Sequence, residues 1–237
     1  HLPPASADPF SRADPEYGVA SHPLLGHLIL LWAERPVFAT MFSQAAAHVA
    51  GIERNAAILG EPNEEKAFER ARAAKARYLL VTPSATLIGD PSFDPGRSLW
   101  GWLLETAGID PADPSRTTAH FRLIHDSEER REKKPEHSYA RLFEAVEGAR
   151  LVGQAGPGET IVARRDVHTD RGETFSYARS AVADSAGLFS LRVPYACASA
   201  QTDAYRLTSS SGAWAEVCLP EAAVEKGETV DVGTLGR

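Results

Sequence analysis

The residues of this chain with chemistry to offer are two cysteines, eight histidines and a scatter of aspartates and serines in Pro- and Gly-rich stretches. His22 and His27 are five apart, about 140° round a helix, which suits shared metal chelation poorly compared with an i, i+4 pair. His120 and His125 are an odd number of residues apart, so on a strand they face opposite sides. Each reads as a surface or hydrogen-bonded structural histidine. Asp90, Asp94, Asp110 and Asp113 sit where carboxylates cap helices or, less often, hold calcium, and no EF-hand spacing supports the second use. Ser84 and Ser92 are loop serines with no base nearby. Gly156-Pro157-Gly158 is a turn, because no Lys-Ser/Thr follows to make a phosphate loop. The chain has no Gly-x-Ser-x-Gly elbow, Walker loop, His-Glu-x-x-His or Gly-x-Gly-x-x-Gly. It is expected to contain no self-sufficient catalytic centre and no metal site of its own. Cys197 and Cys218 are too few for a disulfide framework and too few for zinc. They form one bridge in an oxidising compartment or lie buried as two free thiols.

Charge narrows the partners. The 237 residues carry a net charge of -7, so no global basic field exists to collect phosphates, and no nucleic-acid partner is expected. The mixed run Glu128–Lys134 reads as a solvated loop. The longest apolar stretch, Leu28–Ala33 preceded by Leu24 and Leu25, is far short of the ~20 residues that span a bilayer. The start, His1-Leu2-Pro3-Pro4, has no initiator Met and no basic leader, and reads as the end of an excised fragment.

Composition shifts near residue 120. Before it the pattern is helical and Ala-rich. Pro23–Ala33 reads as a short buried helix with Pro in its first turn, and Phe42–Ile58 as a second. Asn63–Ala76 is a third, with Asn63 as N-cap and Glu64 and Glu65 favouring the N-terminal dipole. Arg97–Thr106 follows, stopped by Gly108. Strands are expected at Tyr78–Thr82, His120–Ile124 and Arg141–Val146. From Gly148 onward strands recur at short intervals: Leu151–Gln154, Thr160–Val167, Thr174–Val182, Leu188–Pro194, Ala204–Ser209, Trp214–Leu219 and Thr229–Val232. Gly-bearing turns separate them. The expected fold is α+β or α/β: a mainly helical core with a few strands, then an antiparallel β-sandwich or small β-barrel. The expected divisions are a flexible N-terminal segment at 1–16, the helical core at 17–147 and the β domain at 148–237.

One segment resembles a known family. Tyr17-Gly18-Val19-Ala20-Ser21-His22-Pro23-Leu24-Leu25-Gly26-His27, then Arg35-Pro36-Val37 and Phe42-x-Gln44, resembles the start of the soluble domain in oligosaccharyltransferase catalytic subunits. The likeness is to the single-subunit enzymes of archaea and bacteria. It continues through Ala76–Val81, Phe121–Ser127 and Leu142-Phe143-Glu144-x-Val146-x-Gly148-Ala149, and follows the β region through Gly187–Tyr195 and Val224–Thr229. The resemblance implies an extracytoplasmic domain, periplasmic or at the cell surface, anchored by a multi-spanning membrane part outside this chain. That part would hold the acidic residues and a divalent metal, Mg or Mn. The whole would move a lipid-linked oligosaccharide to an asparagine of an acceptor polypeptide. Its soluble domain would recognise the Ser/Thr of Asn-x-Ser/Thr.

The departures bear on specificity. Where the family has Trp-Trp-Asp-Tyr-Gly, this chain has His22-Pro23-Leu24-Leu25-Gly26. Leu24 cannot accept a hydrogen bond and Pro23 cannot donate one. The family's second element, Asp-x-x-Lys, falls on Thr82-Pro83-Ser84-Ala85, with Thr82 and Ala85 at the charged positions. An altered or lost acceptor socket framed by Ser21 and His27 is expected, with a more apolar groove. The alternative is a non-catalytic cell-surface binding or structural module, which predicts exposed aromatics on the sheet from Tyr177, Tyr195, Tyr205 and Trp214. A secreted hydrolase would need a nucleophile–base pair.

Overall fold

Local signals set the first helices of the structure, a computed structural model that describes residues 15–40, 46–83, 94–132, 134–172, 174–197 and 204–236. Asn63 Oδ1 accepts the Lys66 amide at 3.0 Å and opens α3, Glu64–Ala73. Ser98 Oγ accepts the Gly101 amide and opens α4, Leu99–Thr106. Side-chain oxygens at these positions satisfy amides that have no partner in the helix. The left-handed stop after α4 falls on Ala107 (φ 57°), with Gly108 following at φ 74°.

The chain divides into two units. The first comprises residues up to Ala107 and Leu123–Ala145, and the second Gly108–Arg122 and Val146–Arg237. In the first unit, β1 (Gly18–Ser21), β2 (Ala76–Val81), β6 (Arg141–Ala145) and β3 (Phe121–Asp126) form one sheet in the order β1-β2-β6-β3. β1 runs parallel to β2, and β2 antiparallel to β6. A turn of 3-10 helix at Pro23–Leu25 leads into α1, Gly26–Trp32, and α2 spans Ala46–Leu59. Tyr17, Val19, Ile29 and Tyr78 form a small core cluster under α1. Its two tyrosine rings meet edge to face at 5.1 Å, the arrangement their quadrupoles favour.

Two expectations are corrected here, and one strand is added. Pro23–Ala33 is helical but not a buried helix: in α1 only Gly26 and Ile29 are buried. The run Glu128–Lys134 is not a free loop. It enters a hairpin of β4 (Arg130–Arg131) and β5 (Lys134–Ser138), and Glu105 on α4 holds Arg131 at 2.7 Å and Lys134 at 2.8 Å. β1, with four residues, was too short to read from alternation.

The second unit is β-rich, as the spacing of turns implies. β7 (Ala149–Gln154), β8 (Thr160–His168), β9 (Thr174–Val182), β10 (Leu188–Val193), β11 (Tyr205–Ser209), β12 (Trp214–Val217) and β13 (Thr229–Thr234) make two sheets. Their orders are β10-β7-β13 and β12-β11-β8-β9. Neither closes into a barrel among the described residues, and buried residues of both sheets form one apolar cluster. β13 pairs parallel to β7, because the short helix α5 (Glu221–Lys226) carries the chain back before it. Gly108–Arg122 belongs with this unit: the Tyr177 hydroxyl donates to the Thr118 carbonyl at 2.7 Å, and His120 Nδ1 lies 3.0 Å from the Val146 carbonyl. No helix among the described residues is long and apolar enough to cross a membrane.

Candidate functional site

The segment singled out by its departures, Ser21–His27, leaves the C-terminal end of β1. Ser21, His22 and Pro23 are buried. His22 Nδ1 accepts the Leu24 amide at 3.1 Å and caps the 3-10 turn. With Nδ1 accepting, a neutral His22 ring carries its proton on Nε2. Pro23 takes the first position of the turn, where its missing N–H costs nothing. Ser21 Oγ donates to the His22 carbonyl at 3.4 Å.

Gly26, the first residue of α1, has a steric role. A Cβ there would lie 2.1 Å from the Ala39 carbonyl oxygen. Gly51 on α2 meets the preceding carbonyl in the same way, with a Cβ placed 1.8 Å from Phe38 O. The Phe38–Ala39 stretch is thus gripped between α1 and α2. It is also tied to β1, since the Val19 amide donates to Pro36 O at 2.8 Å. Gly51 and this clamp are absent from the sequence reading, because only the folded chain brings residues 26, 39 and 51 together.

Thr82 follows β2 by one residue. β1 and β2 are parallel, with Ser21 opposite Leu80, so His22 and Thr82 leave the sheet at the same end. Thr82 is 4% exposed, and among the described residues its hydroxyl has no hydrogen-bond partner. Asn55 on α2, 2% exposed, also leaves both amide atoms without one. A buried polar group left so costs about 1–3 kcal/mol. Asn55 stands one turn from the buried Ile58 and Leu59, and an Asn on that face was the available signal. Ala85, Ser84, Asp90 and Ser92 lie outside the described residues.

From Ser21 to Ala33 there is no Asp, Glu, Lys or Arg. Leu25 packs against the Tyr17–Tyr78 cluster, Leu24 is 45% exposed and His27 is half-buried. Just below the turn, burial raises the Tyr17 phenol above its ordinary value, against the opposing pull of Arg35 and Arg77.

The other singled-out residues serve the scaffold. Asp94, Asp110 and Asp113 accept backbone amides within their own turns. No group of three His, Cys, Asp or Glu among the described residues is placed to hold a metal ion. Tyr177, Tyr195 and Tyr205 are buried, which overturns the exposed aromatic face expected of a surface-binding module. Only Trp214 of that set is exposed, under the Arg206 guanidinium at 5.1 Å. His168 Nδ1 meets Thr174 Oγ1 at 2.8 Å as an exposed cross-strand pair. Cys197 and Cys218 are joined in a disulfide, with their Cα atoms 5.6 Å apart.

The fold is similar to that of part of solved oligosaccharyltransferases. Residues 148–230 match the archaeal glycosylation protein B long peripheral domain. The structure superposes on the oligosaccharyltransferase of Archaeoglobus fulgidus solved with Zn and sulfate, with a TM-score of 0.72 at 15% identity, over 94% of this chain and 42% of that one. The archaeal oligosaccharyltransferase AglB from Archaeoglobus fulgidus, solved with an inhibitory peptide and a dolichol-phosphate, gives 0.69 at 15% identity over 94% and 38%. The Archaeoglobus fulgidus oligosaccharyltransferase solved with a tethered acceptor peptide carrying the NVT sequon gives 0.70 at 15% identity over 94% and 39%. The chain thus spans about two fifths of the chains it matches. No curated protein matches it.

Proposed function

We propose that this chain is the extracytoplasmic, acceptor-facing domain of an oligosaccharyltransferase-like membrane glycosyltransferase, with altered acceptor recognition. The whole enzyme transfers a glycan from a polyprenyl-phosphate-type lipid to an asparagine nitrogen of a polypeptide. The sugar–phosphate bond breaks as the sugar–nitrogen bond forms. The metal and the acidic residues for that step belong to a membrane part outside this chain. Agreement of the fold over nearly the whole chain, with Gly26 kept at the turn, supports the reading. The Cys197–Cys218 disulfide suits an oxidising, extracytoplasmic compartment.

The altered specificity rests on one observation: His22, Pro23 and Leu24 stand where the family has two indoles and a carboxylate. A site built to hydrogen-bond a hydroxyl rejects an analogue lacking it by about 10⁴–10⁵. Here His22 Nδ1 is committed to the Leu24 amide, and the side chains of residues 23–25 offer no polar atom. Calorimetric titration with an Asn-x-Thr peptide and its Asn-x-Val counterpart tests this. The two are expected to bind within a few-fold of each other. Tight binding that needs the hydroxyl would show that the socket is intact.

A further inference from the structure

We propose that the outer ridge of the first helix, Leu28, Leu31 and Trp32, seats this domain on the uncharged acyl–headgroup boundary of a lipid bilayer. These side chains are 52%, 60% and 84% exposed. At 100° per residue they fall within an arc of about 100°, so they form a single stripe. The opposite side of α1 is committed to the protein, through Ile29 in the core cluster and Gly26 against the Ala39 carbonyl.

Area and charge select the occupant. The ridge presents roughly 350 Å² of apolar surface, in the range of patches that carry function on a monomer. It is under half the ~800 Å² per partner of a standard protein interface, too little for a second copy to hold by this face alone. Side chains so exposed stand proud, and a fluid bilayer needs no matching shape. No charged residue lies between Ser21 and Ala33, so the ridge contributes no attraction to anionic headgroups. Leu and Trp on one helix face are the residues that favour the acyl–headgroup boundary. A weak patch suffices for a domain already held beside a membrane, because tethering raises its effective concentration. The inference rests on the proposed membrane setting but not on acceptor specificity, and its test involves no peptide.

The 237-residue chain is held by an N-terminal oligohistidine tag on phosphatidylcholine vesicles containing a nickel-chelating lipid, with bromine on the phosphatidylcholine acyl chains. Tryptophan quenching is the readout. The expected result is quenching that falls at least threefold in Trp32→Phe and in Leu28→Ser/Leu31→Ser, and is unchanged in Trp214→Phe. Absence of quenching in the unsubstituted chain, or quenching indifferent to Trp32 and the two leucines, overturns the proposal. So does an untethered dimer in sedimentation velocity that Leu28→Ser/Leu31→Ser abolishes, which would assign the ridge to a second copy. A failure here would leave the peptide titration to stand or fall separately.

Discussion

Gly26 shows how a single position carries the turn. Its φ of -54° is open to any residue, so its requirement is space and not backbone freedom. A methyl group 2.1 Å from Ala39 O forces α1 away from the Phe38–Ala39 stretch. Gly26→Ala is expected to destabilise by about 1–3 kcal/mol or more, as overpacking of a tight contact does, and a urea melt of the first unit checks it. A loss under about 0.5 kcal/mol, the usual effect of a surface change, would contradict that packing. Sequence alone marked Gly26 as kept from a signature, but not why. Thr82 was marked by position as well, and only the folded chain shows its hydroxyl buried without a partner among the described residues.

Glu105 is the equivalent pivot at the scale of elements, since it fastens the β4–β5 hairpin to α4. Burial pushes its carboxyl up, but hydrogen bonds from Arg131 and Lys134, with their charges, outweigh that and hold it at about 2. A depressed carboxyl contributes stability above its unfolded value near 4.5 and loses it as pH falls toward about 2. The first unit is expected to lose stability across that window, and Glu105→Gln to flatten the loss. Stability melts between pH 5 and 2 read this, and equal slopes in both proteins would remove the hairpin's anchor. The same elements mark the reach of local signals. Asn63 and the α3 pattern were legible because a cap and a helix face are local. The hairpin was not, because a mixed-charge run looks the same whether solvated or pinned by a distant carboxylate.

The disulfide acts on the second unit as a whole. It links residues 21 apart, next to the Cys197 amide bonded to Leu219 O at 2.9 Å. Beside it, Arg165 Nη1 donates to Ala196 O at 2.7 Å. A closed loop of that length stabilises by about 3 kcal/mol in the chain-entropy account. Cys197→Ser/Cys218→Ser is expected to lower the unfolding free energy of the second unit by about that amount. The measurement is denaturation of the oxidised chain beside the double variant. Matching midpoints would mean that the sheets hold without the bridge.

Strand positions after residue 148, the Asn63 cap and the overall α+β class were legible along the chain. They follow from period-two alternation, Gly and Pro punctuation and side-chain-to-amide bonds spanning a few residues. The family resemblance was legible too, because it is a matter of residue order. Tertiary structure alone decided what depends on neighbours distant in sequence. It turned the leucines of α1 outward, joined Cys197 to Cys218, set β13 parallel to β7 and returned Gly108–Arg122 to the second unit. A residue's identity says what its side chain can bond or bury, whereas the folded chain determines which neighbours it meets.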